Sequence, residues 1–248
     1  MKLIRLIKST ARHTTSRKDF IYHVHNVVKE AELKKIEMKV HPSIPPFYNQ
    51  NEDCIRVAML SAMHFFDGRC PMGLRDLRQY IHGNNKGMGT DVVRAAFTLL
   101  SLGLIVRVHA SSTDRIPDES MALAEKFKLI SKEPLSHAAT GRYFHGFCAV
   151  IHALDPGHLY SNADSGSHAV IITGHADRHI MFHESMRPPG KRSLGKPNML
   201  TRASLMDRAR EAHDHHSLVI FGPRNREEYR AKVSKAVAMM RQERMRQS

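Results

Sequence analysis

A chain of 248 residues with 42% hydrophobic content can bury one substantial core with appendages, or at most two small domains. The formal net charge of +14 suits an acidic partner, but the lysines and arginines are scattered and carry no nucleic-acid motif, so a solvated basic surface is expected and a nucleic-acid partner is not. No apolar run approaches the length of about eighteen residues that a transmembrane helix needs, and three cysteines without Cys-x-x-Cys spacing exclude a disulfide framework or a structural zinc module.

The stretch from Met1 to Lys8 breaks every apolar pair with a cation and so lacks the apolar region of a signal peptide. A cytoplasmic location, or delivery without a classical signal peptide, is the expectation. The acid-free, Arg/Ser/Thr-containing start before Asp19 also fits an organelle transit peptide as a secondary reading. Phe20, Val24, Val27, Val28, Leu33 and Ile36 recur at helical spacing, which makes residues 1–40 a basic, helical extension. Pro42, Pro45 and Pro46 end it, because proline removes a donor and pushes its predecessor toward extended geometry.

A catalytic-sized domain is expected over residues 41–224. Its first helix runs from Cys54 to Phe66 and closes at Asp67-Gly68; a short helix follows over Leu74 to Ile81, then a Gly/Asn-rich loop over Gly83 to Gly89. Thr90 caps a helix from Asp91 to Ser101, Gly103 closes it, and Leu104 to Val108 is a strand. A further helix is expected from Asp118 to Leu129. The apolar run Phe147 to Ile151 reads as a buried strand. Ala169 to Thr173 and His179 to His183 form a hairpin across residues 174–178, and a helix from Ala203 to Ala212 leads to a last strand, Leu218 to Phe221. Residues 225–248 form a charged helix whose stripe of Tyr229, Val233, Val237 and Met240 docks on the domain or on a partner. Helices first and mostly antiparallel strands afterwards make an α+β fold.

Cys54 is the residue that carries chemistry. A thiol in the first turn of a helix sits where the helix dipole favours the thiolate, with Asp53 placed to be the N-cap. Gln50 stands four residues upstream and could donate to an oxyanion beside the Cys54 backbone N–H. A thiol nucleophile needs a base and a group that orients the base. His168 opens a strand after Ser165-Gly166-Ser167, and Glu184 stands sixteen residues later, where a hairpin returns it to the same end of the sheet. Cys54, His168 and Glu184 thus form a candidate triad.

These segments, Gln50-x-x-x-Cys54 before a helix, Ser167-His168-Ala169-Val170-Ile171-Ile172-Thr173-Gly174, and His183-Glu184-Ser185, resemble the bacteriocin-processing, or double-glycine leader, peptidases among papain-like cysteine peptidases. The resemblance extends over roughly residues 41–223. It implies a papain-like fold with a nucleophile helix packed on a sheet. Cys54 would be the nucleophile, His168 the base, Glu184 the orienter in place of the family's Asp or Asn, and Gln50 an oxyanion-hole donor. Ile55-Arg56-Val57 stands where the family has Gly-Pro-Ala, and residues 111–146 read as an insertion.

A cysteine peptidase acting on a protein or peptide substrate, with acidic substrates suited to the basic surface, is therefore the expected function. Acyl transfer, deamidation, or peptide binding without catalysis are the alternatives. No cofactor or metal is expected. Of the closely spaced histidines, His175, His179 and His183 are expected as exposed hairpin residues, and His213, His215 and His216 as part of a polar link. The Gly83 to Gly89 loop lacks the Gly-Lys-Ser/Thr of a phosphate loop.

Overall fold

The computed structural model describes residues 39–40, 53–68, 70–81, 91–159, 166–183 and 198–247. Strands β1 (Lys39–Val40), β2 (Leu104–His109), β3 (Ile130–Ser131), β4 (Ala149–Leu154), β5 (His168–His175), β6 (His179–His183), β7 (Asn198–Arg202) and β8 (Ser217–Pro223) form one sheet. Its order is β3-β2-β8-β4-β5-β6-β7, with β1 pairing the end of β5. The described pairings are antiparallel except β2 with β3. The helices are α1 (Cys54–Phe66), α2 (Leu74–Ile81), α3 (Val92–Ser101), α4 (Asp118–Phe127), α5 (His137–His145), α6 (Pro156–Leu159), α7 (Ala203–Glu211) and α8 (Arg226–Gln247). The fold is α+β.

Strand alternation divides the interior into two cores. Ala149, Ile151 and Ala153 of β4 and Ala169 and Ile171 of β5 face one apolar cluster, while Val150, Leu154, Val170 and Ile172 face the other. Burial on both faces is why these strands read as unbroken apolar runs. On the first face α1 packs on β4, β5 and β8, and α3 on β2 and β8; on the second, α5 packs on β4 and β5, and α7 on β4, β6 and β7.

Several boundaries differ from expectation for local reasons. Asp91, not Thr90, caps α3: its carboxylate accepts from the Val93 and Arg94 amides at 3.0 and 2.9 Å. Asp67 ends α1 in extended geometry, its carboxylate held by Arg230 at 2.7 and 2.8 Å. Helix α4 stops at Phe127, because Lys128 turns into the left-handed region with φ 50°. The strand expected from Phe147 starts only at Ala149. Phe147 has φ 60°, and the Cys148 amide still bonds back to the Tyr143 carbonyl to close α5. Within the span read as an insertion, α5 is capped by Ser136, whose hydroxyl accepts from the Ala139 amide at 3.1 Å. The stripe of α8 docks on its own chain. Tyr229, Val233, Ala236, Val237 and Met240 are buried, and Arg244 and Glu243 bond Asp76 and Gln79 of α2 at 2.7 and 2.9 Å.

Candidate active site

Cys54 is the first residue of α1 and is half-exposed, whereas the next turns of the helix, Val57 to Met63, are buried. Cys70 and Cys148 are buried free thiols, and burial pushes both above the ordinary cysteine range. That environment suits inert structural cysteines, and Cys54 is the least buried of the three thiols. The two residues after it differ from those of the resembled family. Ile55 is turned into the core at 4% exposure, and the Arg56 guanidinium is tied back to Asp53 at 2.5 Å.

Asp53 occupies the N-cap position, but its side chain makes no capping bond. One carboxylate oxygen accepts from Arg56 Nη1 and the other from Arg78 Nε, both at 2.5 Å, and Arg78 Nη2 also contacts Asp53. Two guanidinium groups thus displace the backbone amides as donors, because charge-assisted bonds are the stronger ones. Burial alone would raise the Asp53 carboxyl, but the hydrogen bonds and charges of Arg78 and Arg56 outweigh it and hold the group below the usual carboxylate range. The clamp joins α1 to α2 immediately before the thiol.

His168 is the first residue of β5, 2% exposed, behind the exposed pair Gly166-Ser167. Helix α1 lies across β5, so the element that begins with Cys54 packs on the one that begins with His168. His168 pairs with Leu154 and is in phase with Val170 and Ile172 of the second core. Its side chain therefore starts from the face of the sheet opposite α1. His183 pairs with Ile171, whose side chain faces the α1 side, and it is 2% exposed. The expectation that His183 is exposed is corrected by this register, which buries it between sheet and helices. Gln50, Glu184, the loop over residues 83–89 and nearly all of residues 1–40 lie outside the described residues.

A polar network missed in the sequence lies on the second face. His152 on β4, fully buried, shares the Ser217 Oγ with Arg210 of α7: His152 Nδ1 is 2.9 Å away and Arg210 Nη2 donates at 3.1 Å. Ser217 donates its own proton to the His215 carbonyl at 3.1 Å, so His152 must donate from Nδ1, and its Nε2 has no partner among the described residues. Burial, then the Arg210 charge, lowers His152 well below the histidine range. Burial also brings Arg210 down to about 10, against the Asp207 carboxylate that supports its charge. His216, expected in a polar link, is 7% exposed and bonds the Ser112 carbonyl at 3.1 Å.

Among the described residues no cluster of His, Cys, Asp or Glu could hold a metal ion, and no helix is long and apolar enough to cross a membrane. A shallow depression of about 210 Å³ lined by Ala110, Ser111, Ser112, Thr113, Asp114 and Lys132 includes none of the expected catalytic side chains.

No protein-family model matches the chain. No curated protein matches it in sequence. Among solved structures, the chain is similar to a candidate C39-like peptidase from Bacillus anthracis, with 10% identity and a TM-score of 0.41, over 74% of this chain and 97% of the other. So distant a match assigns neither family nor activity, and the case for function rests on the chemistry around Cys54.

Proposed function

We propose that the chain is a thiol-dependent amide hydrolase of papain-like plan. Deprotonated Cys54 attacks the carbonyl carbon of a protein or peptide amide, and the C–N bond breaks as the imidazole base returns its proton to the leaving nitrogen. Water, deprotonated by the same imidazole, then releases the acyl group and restores the thiol. His168 is the base in this reading, with Glu184 orienting it and Gln50 donating to the oxyanion. The observation that carries it is the half-exposed thiol at the first position of a helix laid across the strand that His168 opens.

One observation favours a second choice of base. The β5–β6 register turns His183 toward the α1 side of the sheet, the side of the helix that carries the thiol.

Iodoacetamide labelling across pH tests the nucleophile and separates the two bases. Cys54 is expected to alkylate faster than a free peptide thiol at neutral pH, and His168→Ala, but not His183→Ala, is expected to remove that advantage. The reverse pattern moves the base to His183. Labelling at the rate of a free thiol, unchanged in both variants, would sink the enzymatic reading.

A further inference from the structure

Three imidazoles meet where α5 comes down on the β5–β6 turn. The ring of His137, the first residue of α5, stacks on that of His175, the last residue of β5, with centroids 4.3 Å apart, and His145 meets His175 edge-on at 5.8 Å. His137 Nε2 lies 3.0 Å from the Ala176 carbonyl oxygen and 2.8 Å from that of Asp177. Both are acceptors, so Nε2 carries the ring proton and donates to them. Nδ1 of His137 is buried and has no hydrogen-bond partner among the described residues. His175 donates from its own Nε2 to the His137 carbonyl at 3.2 Å. The arrangement suits two neutral rings.

A second proton on His137 goes to Nδ1, where a charged N–H lacks an acceptor. A second proton on His175 puts a cation one stacking distance from His137. Around the pair stand His145 on α5 and His152 on β4, Arg178 and His179 follow the turn, and Lys39 of β1 is in register with His175; Asp177, exposed, is the nearby carboxylate. Burial, then the His137 charge, lowers His175 below the ordinary histidine value, against the Asp177 charge and the bond to the His137 carbonyl. Helix α5 is lightly anchored otherwise. Of its nine residues Thr140, Gly141 and Phe144 are buried, against eight of thirteen in α1.

We propose that the His137–His175 stack is an acid-operated latch: neutral, it holds the start of α5 on the β5–β6 turn, and proton uptake by the pair frees α5 while the rest of the fold stays closed. Elements with few buried residues open locally at lower cost than the whole molecule unfolds, and histidine protonation is the ordinary trigger for such a step. Release withdraws Phe144 from the second core and uncovers Cys148, which sits in that core at 6% exposure and whose amide bonds to the Tyr143 carbonyl. Cys70, 7% exposed in the first core beside Tyr229, stays covered. The latch is independent of the Cys54 chemistry.

The two buried thiols report the opening. In a full-length Cys54→Ser chain, labelling by 4,4′-dithiodipyridine is followed at Cys148 and Cys70 between neutral pH and pH 5. The Cys148 rate relative to Cys70 is expected to rise about tenfold, the change that one pKa unit of linkage produces. The double variant His137→Gln/His175→Gln is expected to abolish the rise, because a glutamine amide keeps an N–H donor near the place of Nε2 and takes up no proton in this range. A parallel rise at both cysteines is global unfolding and overturns the latch, as does a Cys148 rise that survives in the double variant. Hydrogen exchange in the wild type keeps the test open where that variant does not fold. Amides 138–145, corrected for the intrinsic pH dependence of exchange, are expected to speed up in acid relative to those of α7, and an equal response in both helices overturns the proposal.

Discussion

Asp53 shows how a single residue can be read correctly for position and wrongly for partner. Its place before Cys54 follows from the helix start, but the sequence contains nothing that announces Arg78, twenty-five positions away, as the competitor for its carboxylate. Asp53→Asn would leave the largely buried Arg56 without its counter-charge. A loss of about 2–3 kcal/mol in urea unfolding is expected, below the range for a fully buried pair because Arg78 is half-exposed. If the clamp also fixes the orientation of the α1 start, the same substitution slows Cys54 alkylation under conditions where the protein remains folded. Unchanged alkylation would confine Asp53 to a structural role. His168 and Cys54 were legible as single residues, since a thiol at a helix start and a histidine at a strand mouth are both local patterns. The phase of His168 on β5 was not, because it depends on which face α1 covers.

At the scale of elements, α1, α2 and β6 have the bounds that periodicity and turn signals indicate. Their apolar residues are dense and their ends punctuated. Helix α5 escaped that reading because His137-Ala-Ala-Thr-Gly-Arg-Tyr carries little apolar periodicity, and Gly141 in its middle argues against a helix. The structure supplies the reason for that glycine. A Cβ at position 141 would lie 2.4 Å from Cε1 of His175. The His175 ring is stacked on His137 at 4.3 Å and donates from Nε2 to the His137 carbonyl at 3.2 Å, so it has little freedom to retreat. Gly→Ala inside a helix ordinarily stabilises by about 1 kcal/mol. Gly141→Ala is expected to do the opposite, destabilising by about 1–3 kcal/mol through overpacking. A thermal melt reads the sign directly, and a raised melting temperature would show that the His137–His175 stack yields.

For the whole molecule, the buried histidines set the response to acid. Burial is the largest cause lowering His109, His152, His175, His215 and His216 below the ordinary histidine value. In the unfolded chain these groups bind protons near pH 6.5, whereas in the folded protein they bind them only at lower pH. Stability is therefore full above that pH and falls as pH drops through and below it, by about 1.4 kcal/mol for each tenfold loss of proton affinity. Asp53, held below the carboxylate range, adds a loss in the same direction at still lower pH. Urea midpoints measured between neutral pH and pH 5 are expected to decline, and His152→Gln should flatten the decline even where it lowers stability overall. A flat profile in the wild type would show that these imidazoles titrate normally.

By itself, the sequence determined the α+β plan, the helix that begins at Cys54 and the strands that follow His168 and precede Glu184. Those features are written in short-range signals: periodicity, caps and turn residues acting within a few positions. Only the tertiary structure decided that Asp53 serves two arginines and that His183 is buried toward α1. Each of these depends on strand register and on which helix covers which face of the sheet, and both are fixed by packing among residues far apart in the chain.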